Sequence, residues 1–231
     1  MEWQITRKNT EQFATAKCTT SDDTFETLAD RLNLDFNDYK KWANTNDETP
    51  KCDVEYKIPN TIYMDYGKNW PPSGLFYQDQ NNMSKYVILA RMAGFKVVNT
   101  HNVNSQTIRN HLRTNGIYMY FYNGHGSLTW LYPQRHQGGV RAARYTPYKI
   151  MHMALLACES ATKNSFNDFL VDPSKSIWNL NISSKGTFAG YVRKVNSASS
   201  NSYTSIPGTA EFTDEYADTS LIWIEPQPWE K

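Results

Sequence analysis

Two stretches of this chain carry residue types that can do covalent chemistry. Ile117-Tyr118-Met119-Tyr120-Phe121-Tyr122 is a nearly continuous apolar run that empties into Asn123-Gly124-His125-Gly126-Ser127. Ile150 to Ala157 is a second apolar run, and it empties into Cys158-Glu159-Ser160. A thiol needs a nearby base to act as a nucleophile. The thiolate is the attacking species, and an adjacent imidazolium lowers the thiol pKa. A helix expected over about 160–170 would favour the thiolate further through its N-terminus. Gly126 lacks a Cβ, so its amide can approach a substrate carbonyl closely. With the amide of Cys158 it would make an oxyanion hole. A cysteine after an apolar run is ordinarily an inert core residue, and a His-Gly pair is ordinarily a turn. The argument rests on finding both, each closing a buried run.

The other ionisable residues say less. Asp65 ends an apolar run and could orient His125 across a sheet edge, although an ordinary turn carboxylate is the commoner reading. His101, His111, His136 and His152 have no metal-ligand spacing among themselves. His111 reads as a helix-surface residue and His152 as a structural residue in a strand. Three cysteines without a CxxC pair argue against structural zinc. No metal and no organic cofactor is expected. Arg135, Arg141 and Arg144 lie with Gly138-Gly139 between the two apolar blocks. They read as a basic flap, either solvated surface or substrate contact.

These residues need a scaffold. The run 61–66 reads as a strand, 83–92 as an amphipathic helix stopped by Gly94, and 95–100 as a strand. Ser105 caps a helix that carries Ile108 and Leu112 on one face and ends at Asn115-Gly116. Strands follow at 117–122, 150–157 and 186–192, with a hairpin or flap over 127–145 and a last helix from Thr209 to Ile222. Strands interleaved with helices imply a mostly parallel sheet with helices on both faces, an α/β fold. Ligands of such sheets bind outside the carboxyl ends of the strands, where His125 and Cys158 would both emerge.

Before this region lies a smaller unit. Thr15 to Thr19 reads as a strand. Asp22, Asp23 and Thr24 supply N-cap chemistry for a helix with Phe25, Leu28, Ala29 and Leu32 on one face. A second helix carries Phe36, Tyr39 and Trp42, a polar loop runs from Asn44 to Pro50, and 54–58 closes as a strand. The composition breaks near Pro59-Asn60, which divides the chain into 1–60 and 61–231.

Both parts resemble known families. Ser21-Asp22-Asp23-Thr24-Phe25-Glu26-Thr27-Leu28-Ala29, the stretch Leu34 to Asn44, and Tyr56-Lys57-Ile58-Pro59 together resemble a LysM module, a small βααβ domain. Asp22 stands where that family usually has Gly. The resemblance implies binding of N-acetylglucosamine polymers, peptidoglycan or chitin, through loops that here hold Asp22, Asp23, Thr24 and Asn44. A small helical cap that binds nothing is the competing reading. The two strands that such a unit pairs side by side would bring Cys18 and Cys52 together. A disulfide there implies an oxidising compartment, extracellular or in the cell envelope, while two reduced thiols in a cytosolic protein are the alternative.

Residues 61–225 resemble the caspase-fold cysteine peptidases, which include caspases, legumains, gingipains and clostripains. Tyr120 to Ser127 and Ala157-Cys158-Glu159-Ser160 are most similar to the legumain pattern, with its His-Gly-Ser and Ala-Cys-Glu-Ser. The resemblance implies a caspase-like, mostly parallel sheet, His125 as general base, Cys158 as nucleophile and Gly126 in the oxyanion hole. The caspase Gln-Ala-Cys-x-Gly signature is absent. His125 lies 33 residues before Cys158, against about 50 in caspases. Leu156 stands where legumains place a specificity-pocket Glu, so side-chain preference does not transfer. A peptide or protein substrate is implied, and hydrolysis and peptide ligation would use the same residues. The rival reading is a glycan-binding protein on a catalytically silent peptidase-like scaffold.

Composition narrows the classes. The chain has 231 residues, with 24 Lys+Arg against 23 Asp+Glu and a net charge of +1. That balance argues against a broad nucleic-acid footprint. Aromatics at 14% argue against disorder. Mean hydropathy is −0.67, and the polarity is mostly Asn, Ser and Thr, which suits a secreted or carbohydrate-facing protein. No run approaches the ~20 apolar residues of a membrane span. Met1 to Arg7 has no apolar core of a signal peptide.

Overall fold

Among the described residues, five parallel strands run through the centre of this computed structural model. It describes residues 3–19, 24–31, 36–43, 45–52, 54–67, 87–127, 129–134, 138–145, 149–157, 159–160 and 181–190. The strands are β4 (Thr61–Gly67), β5 (Lys96–Val103), β6 (Ile117–Asn123), β10 (Ile150–Leu156) and β11 (Ile182–Gly190). Their order is β11-β10-β6-β4-β5, and every neighbouring pair is parallel. β4 and β6 are buried along their whole length. That is why they read as continuous apolar runs rather than alternating ones. The coarse α/β expectation holds.

Helices cover both faces. Helix α4 (Ser105–Leu112) is capped by Asn104, whose side chain accepts from Thr107 N at 2.9 Å. It buries Ile108 and Leu112 in a cluster with Tyr63, Tyr120 and Tyr122. On the opposite face helix α3, described over residues 87–92, contributes Val87 and Ala90 to a cluster with Ile62, Met64 and Phe121. A register shift where β4 meets the start of β6 lets Tyr118 join this second cluster, beside Phe95 at 4.5 Å between ring centroids.

The N-terminal unit is a three-stranded antiparallel sheet, β1 (Gln4–Thr6), β2 (Phe13–Lys17) and β3 (Glu55–Pro59), in that order. Helices α1 (Phe25–Arg31) and α2 (Phe36–Ala43) lie between β2 and β3 in the chain. Thr24 caps α1: Thr27 N donates to its Oγ1 at 3.1 Å, and Thr24 N donates back to Thr27 Oγ1 at 3.1 Å. Trp3, Phe25, Tyr39 and Tyr56 pack together beneath the helices. Strand β1 was not foreseen. It is three residues long with an exposed-intermediate-exposed pattern, too short to give a periodic signal.

Cys18 and Cys52 are joined by a disulfide, with Cα atoms 4.7 Å apart. The expectation that they sit on paired strands needs correction. Cys18 follows the end of β2, and Cys52 lies in a turn ahead of β3. The bond closes the end of the ladder at which Lys17 faces Glu55.

The two units meet without a spacer. One apolar cluster includes Ile58 on one side of the Pro59-Asn60 junction and Ile62 on the other. Asn60 is fully buried. Its Nδ2 donates to the carbonyls of Lys8, Glu11 and Gly94 at 3.0, 2.9 and 3.2 Å. Its Oδ1 accepts from Arg7 Nη1 at 3.0 Å. The Arg7 guanidinium also lies 4.1 Å from the centroid of the Phe95 ring. Gly94 (φ +86°) and Gly116 (φ +78°) press against this seam. A Cβ at either would come within 2.6 Å of Arg7 or Phe13 respectively. The composition break therefore marks a seam between packed parts, at the amino ends of β4, β5 and β6.

The expected flap is a small antiparallel sheet of β7 (His125–Ser127), β8 (Trp130–Tyr132) and β9 (Val140–Arg141). Arg109 of α4 holds it through Gly139 O at 2.9 Å. Residues 161–170 of one expected helix and the helix expected over 209–222, together with Asp22, Asp23, Asn44, Arg135 and Cys158, lie outside the described residues.

Two stability outcomes follow from the seam and the disulfide. Asn60→Asp removes the donor from three carbonyls and should cost about 2–4 kcal/mol, read as a lower urea midpoint with an unchanged slope. Cys18→Ser with Cys52→Ser opens a 34-residue separation and should cost about 3–4 kcal/mol on the loop-entropy account. Intact mass before and after reduction checks the bond directly.

Candidate active site

β6 and β10 are hydrogen-bonded parallel neighbours, registered from His152 opposite Met119 to Leu156 opposite Asn123. Both strands therefore reach the carboxyl edge of the sheet on one line. Two residues further along β6 the chain arrives at His125. Two residues further along β10 it arrives at Cys158, itself outside the described residues.

The approach to His125 is built by Tyr122. Its hydroxyl donates to His125 O at 3.1 Å. A Cβ on Gly124 would collide with that hydroxyl, so the glycine lets the chain bend tightly over the phenol. Burial drives the Tyr122 hydroxyl pKa far above its ordinary value, with Asp65 adding to the shift, so it stays a neutral donor. His125 and Gly126 are partly exposed and lie in β7, registered against Tyr132 and Leu131.

The end of β10 is equally constrained. Ala157 N donates to Leu155 O at 2.8 Å, and Ser160 N donates to Ala157 O at 3.3 Å. The fully buried Ser160 adds Oγ to Leu155 O at 2.7 Å. Glu159 has φ +57°, a left-handed conformation that costs energy in a residue with a Cβ. Ala157 and Ser160 are thus held by two backbone bonds and one buried hydroxyl.

Asp65 does something other than expected. It is fully buried within β4, and its carboxylate accepts from His111 Nδ1 at 2.9 and 3.0 Å and from Tyr120 Oη at 3.0 Å. Its histidine partner is His111 of α4, which corrects its reading as the orienter of His125. The reason is facing: Asp65 shares a sheet face with Tyr63 and Tyr120, and α4 packs on that face. His111 is accordingly no surface residue. Its side chain is 16% exposed, and its ring stacks on Tyr63 at 4.2 Å between centroids. The signal was present in the sequence, since 108, 111 and 112 share one helix stripe. Tyr120 and Tyr122 were read only as apolar bulk.

Thr24 is engaged as the helix cap described above. Among the described residues no group of three or more His, Cys, Asp or Glu is placed to hold a metal ion. Among them, too, no helix is long and apolar enough to cross a membrane.

His152 is buried on β10, with its ring edge-on to Tyr118 at 4.9 Å. Burial pushes its pKa down to about 4. The unfolded chain binds that proton near the ordinary His pKa of ~6.5. Between these values the unfolded state holds more protons, so this group's contribution should make stability rise with pH from about 4 to 6.5. His152→Gln should flatten that part of a pH series of urea midpoints.

A scan of the sequence against protein-family models gives no match, and a search of curated proteins gives none either.

Proposed function

We propose that this protein is a cysteine peptidase with a caspase-like catalytic region, in which His125 and Cys158 act as base and nucleophile. The observation that carries the reading is the register of β6 against β10. It starts the final approaches to both residues from neighbouring positions, Asn123 and Leu156, on one sheet edge. The left-handed Glu159 and the buried Ser160 anchor give independent support. Residues held in sparsely populated backbone conformations cluster at active sites.

The chemistry is acyl transfer. The Cys158 thiolate adds to a peptide carbonyl, and the oxyanion is met by the amides of Gly126 and Cys158. The carbon–nitrogen bond breaks as His125 passes a proton to the leaving amine. Water then attacks the thioester, with His125 taking its proton, and the thiol is regenerated. General acid–base help of this kind is worth about 10²–10⁴ in rate. No metal or organic cofactor enters the scheme.

The N-terminal unit is proposed as a LysM-like module that anchors the enzyme to an N-acetylglucosamine polymer. The run of strand, two helices and strand from β2 to β3 supports that reading. The Cys18–Cys52 bond supports work outside a reducing cytosol.

Alkylation tests the catalytic pair. Cys158 should react with iodoacetamide at neutral pH faster than a free model thiol. His125→Ala should slow that reaction at least tenfold, and Cys158→Ala should abolish peptide cleavage. Equal, slow labelling of Cys158 in both proteins would refute the mechanism.

A further inference from the structure

The flap has two unlike faces. Gly126, Leu131 and Val140 are registered across β7, β8 and β9, and Leu131 and Val140 are fully buried in the core beneath. Side chains alternate along strands, so the other face carries His125, Tyr132, Trp130 and Arg141. On that face His125 is the direct cross-strand partner of Tyr132, and direct partners hold their Cβ atoms about 4.5–5.5 Å apart. The Trp130 and Tyr132 rings lie 13° from parallel, with centroids 6.3 Å apart.

Gly139 explains why the rings lie as they do. A Cβ there would come within 2.6 Å of Trp130 Cε3 and 3.1 Å of the Tyr132 ring. The two rings occupy the space that a side chain at 139 would fill, so they lie across the flap. Both residues remain partly exposed. Core aromatics of this chain, such as Tyr120 and Phe121, are fully buried. Arg109 fixes the platform by holding Gly139 O, which ties it to α4.

We infer that Trp130 and Tyr132 form a substrate subsite beside His125 that receives an aromatic side chain of the peptide. The inference rests on the peptidase reading and adds to it a substrate preference that the departure at Leu156 left open. Parallel half-exposed rings offer π-faces, which favour offset stacking with another aromatic group. The register of Tyr132 opposite His125, with Trp130 opposite Ser127, puts the bound side chain within a residue or two of the reacting carbonyl.

The test uses the full chain and fluorogenic peptides with Phe or Ala at each position around the cleaved bond. At one position Phe should raise kcat/KM about tenfold over Ala, the size expected for an added aromatic contact. Tyr132→Leu and Trp130→Ala should each bring that ratio towards one, while Tyr132→Phe keeps it. Cleavage without an aromatic preference, or a preference that survives both substitutions, overturns the subsite. His125-dependent alkylation of Cys158 in the same preparation separates the two claims. If it is present and the preference absent, only the subsite falls; if it is absent, the peptidase reading falls and takes the subsite with it.

Discussion

The amide of Asn60 is the interaction on which the arrangement of this molecule depends. Its two N–H groups serve three carbonyls, so one hydrogen is shared. Those carbonyls come from the β1–β2 connection and from the turn after α3. Its backbone N–H reaches Gly116 O at 3.2 Å, and its backbone oxygen accepts from Lys96 N at 3.0 Å. One fully buried residue thus fixes the starts of β5 and β6 against β4 and fixes the N-terminal sheet against all three. Donors and an acceptor on so short a side chain are a property of Asn. A seam made this way is polar at its centre and apolar around it, which sets the orientation as well as the contact.

From that seam the strands carry order to the opposite edge. β6 and β10 run parallel with no register shift from His152 to Leu156. The position of His125 is therefore set by the same ladder that leads towards Cys158. Tyr122 completes the transfer by passing its hydroxyl under the bend at Gly124. On the face of the sheet that α4 covers, the buried carboxylate of Asp65 is matched by His111 and Tyr120. A buried carboxylate without such partners would be too costly to keep.

Much of this was legible in the sequence, for reasons that can be named. The buried runs of β4, β6 and β10 are long and apolar, and Ser105 to Leu112 has a clear helical stripe, although its cap is Asn104 and not Ser105, which is the first helical residue. What escaped is what depends on facing. Strand-end position offers Asp65 either an ordinary turn role or His125 as a partner, but only the packing of α4 decides which histidine meets it. β2 begins at Phe13 and β5 extends to Val103, since pairing partners, rather than local propensity, set strand ends. The bulge near Asn102, which has φ +54°, leaves no mark that composition reveals. The aromatic face of the flap was hidden for a similar reason: Trp130 and Tyr132 alternate with Leu131, and the sequence does not say which set faces the core.

The bond between Cys18 and Cys52 encloses α1 and α2 in a covalent ring. A backbone cut anywhere inside that ring opens it without separating the pieces, because the sulfur bridge still joins them. The nicked halves would keep the high effective concentration of a single molecule, and β2 and β3 could stay paired. The part of the molecule that holds the amino ends of the sheet thus has a second continuity, independent of its peptide bonds.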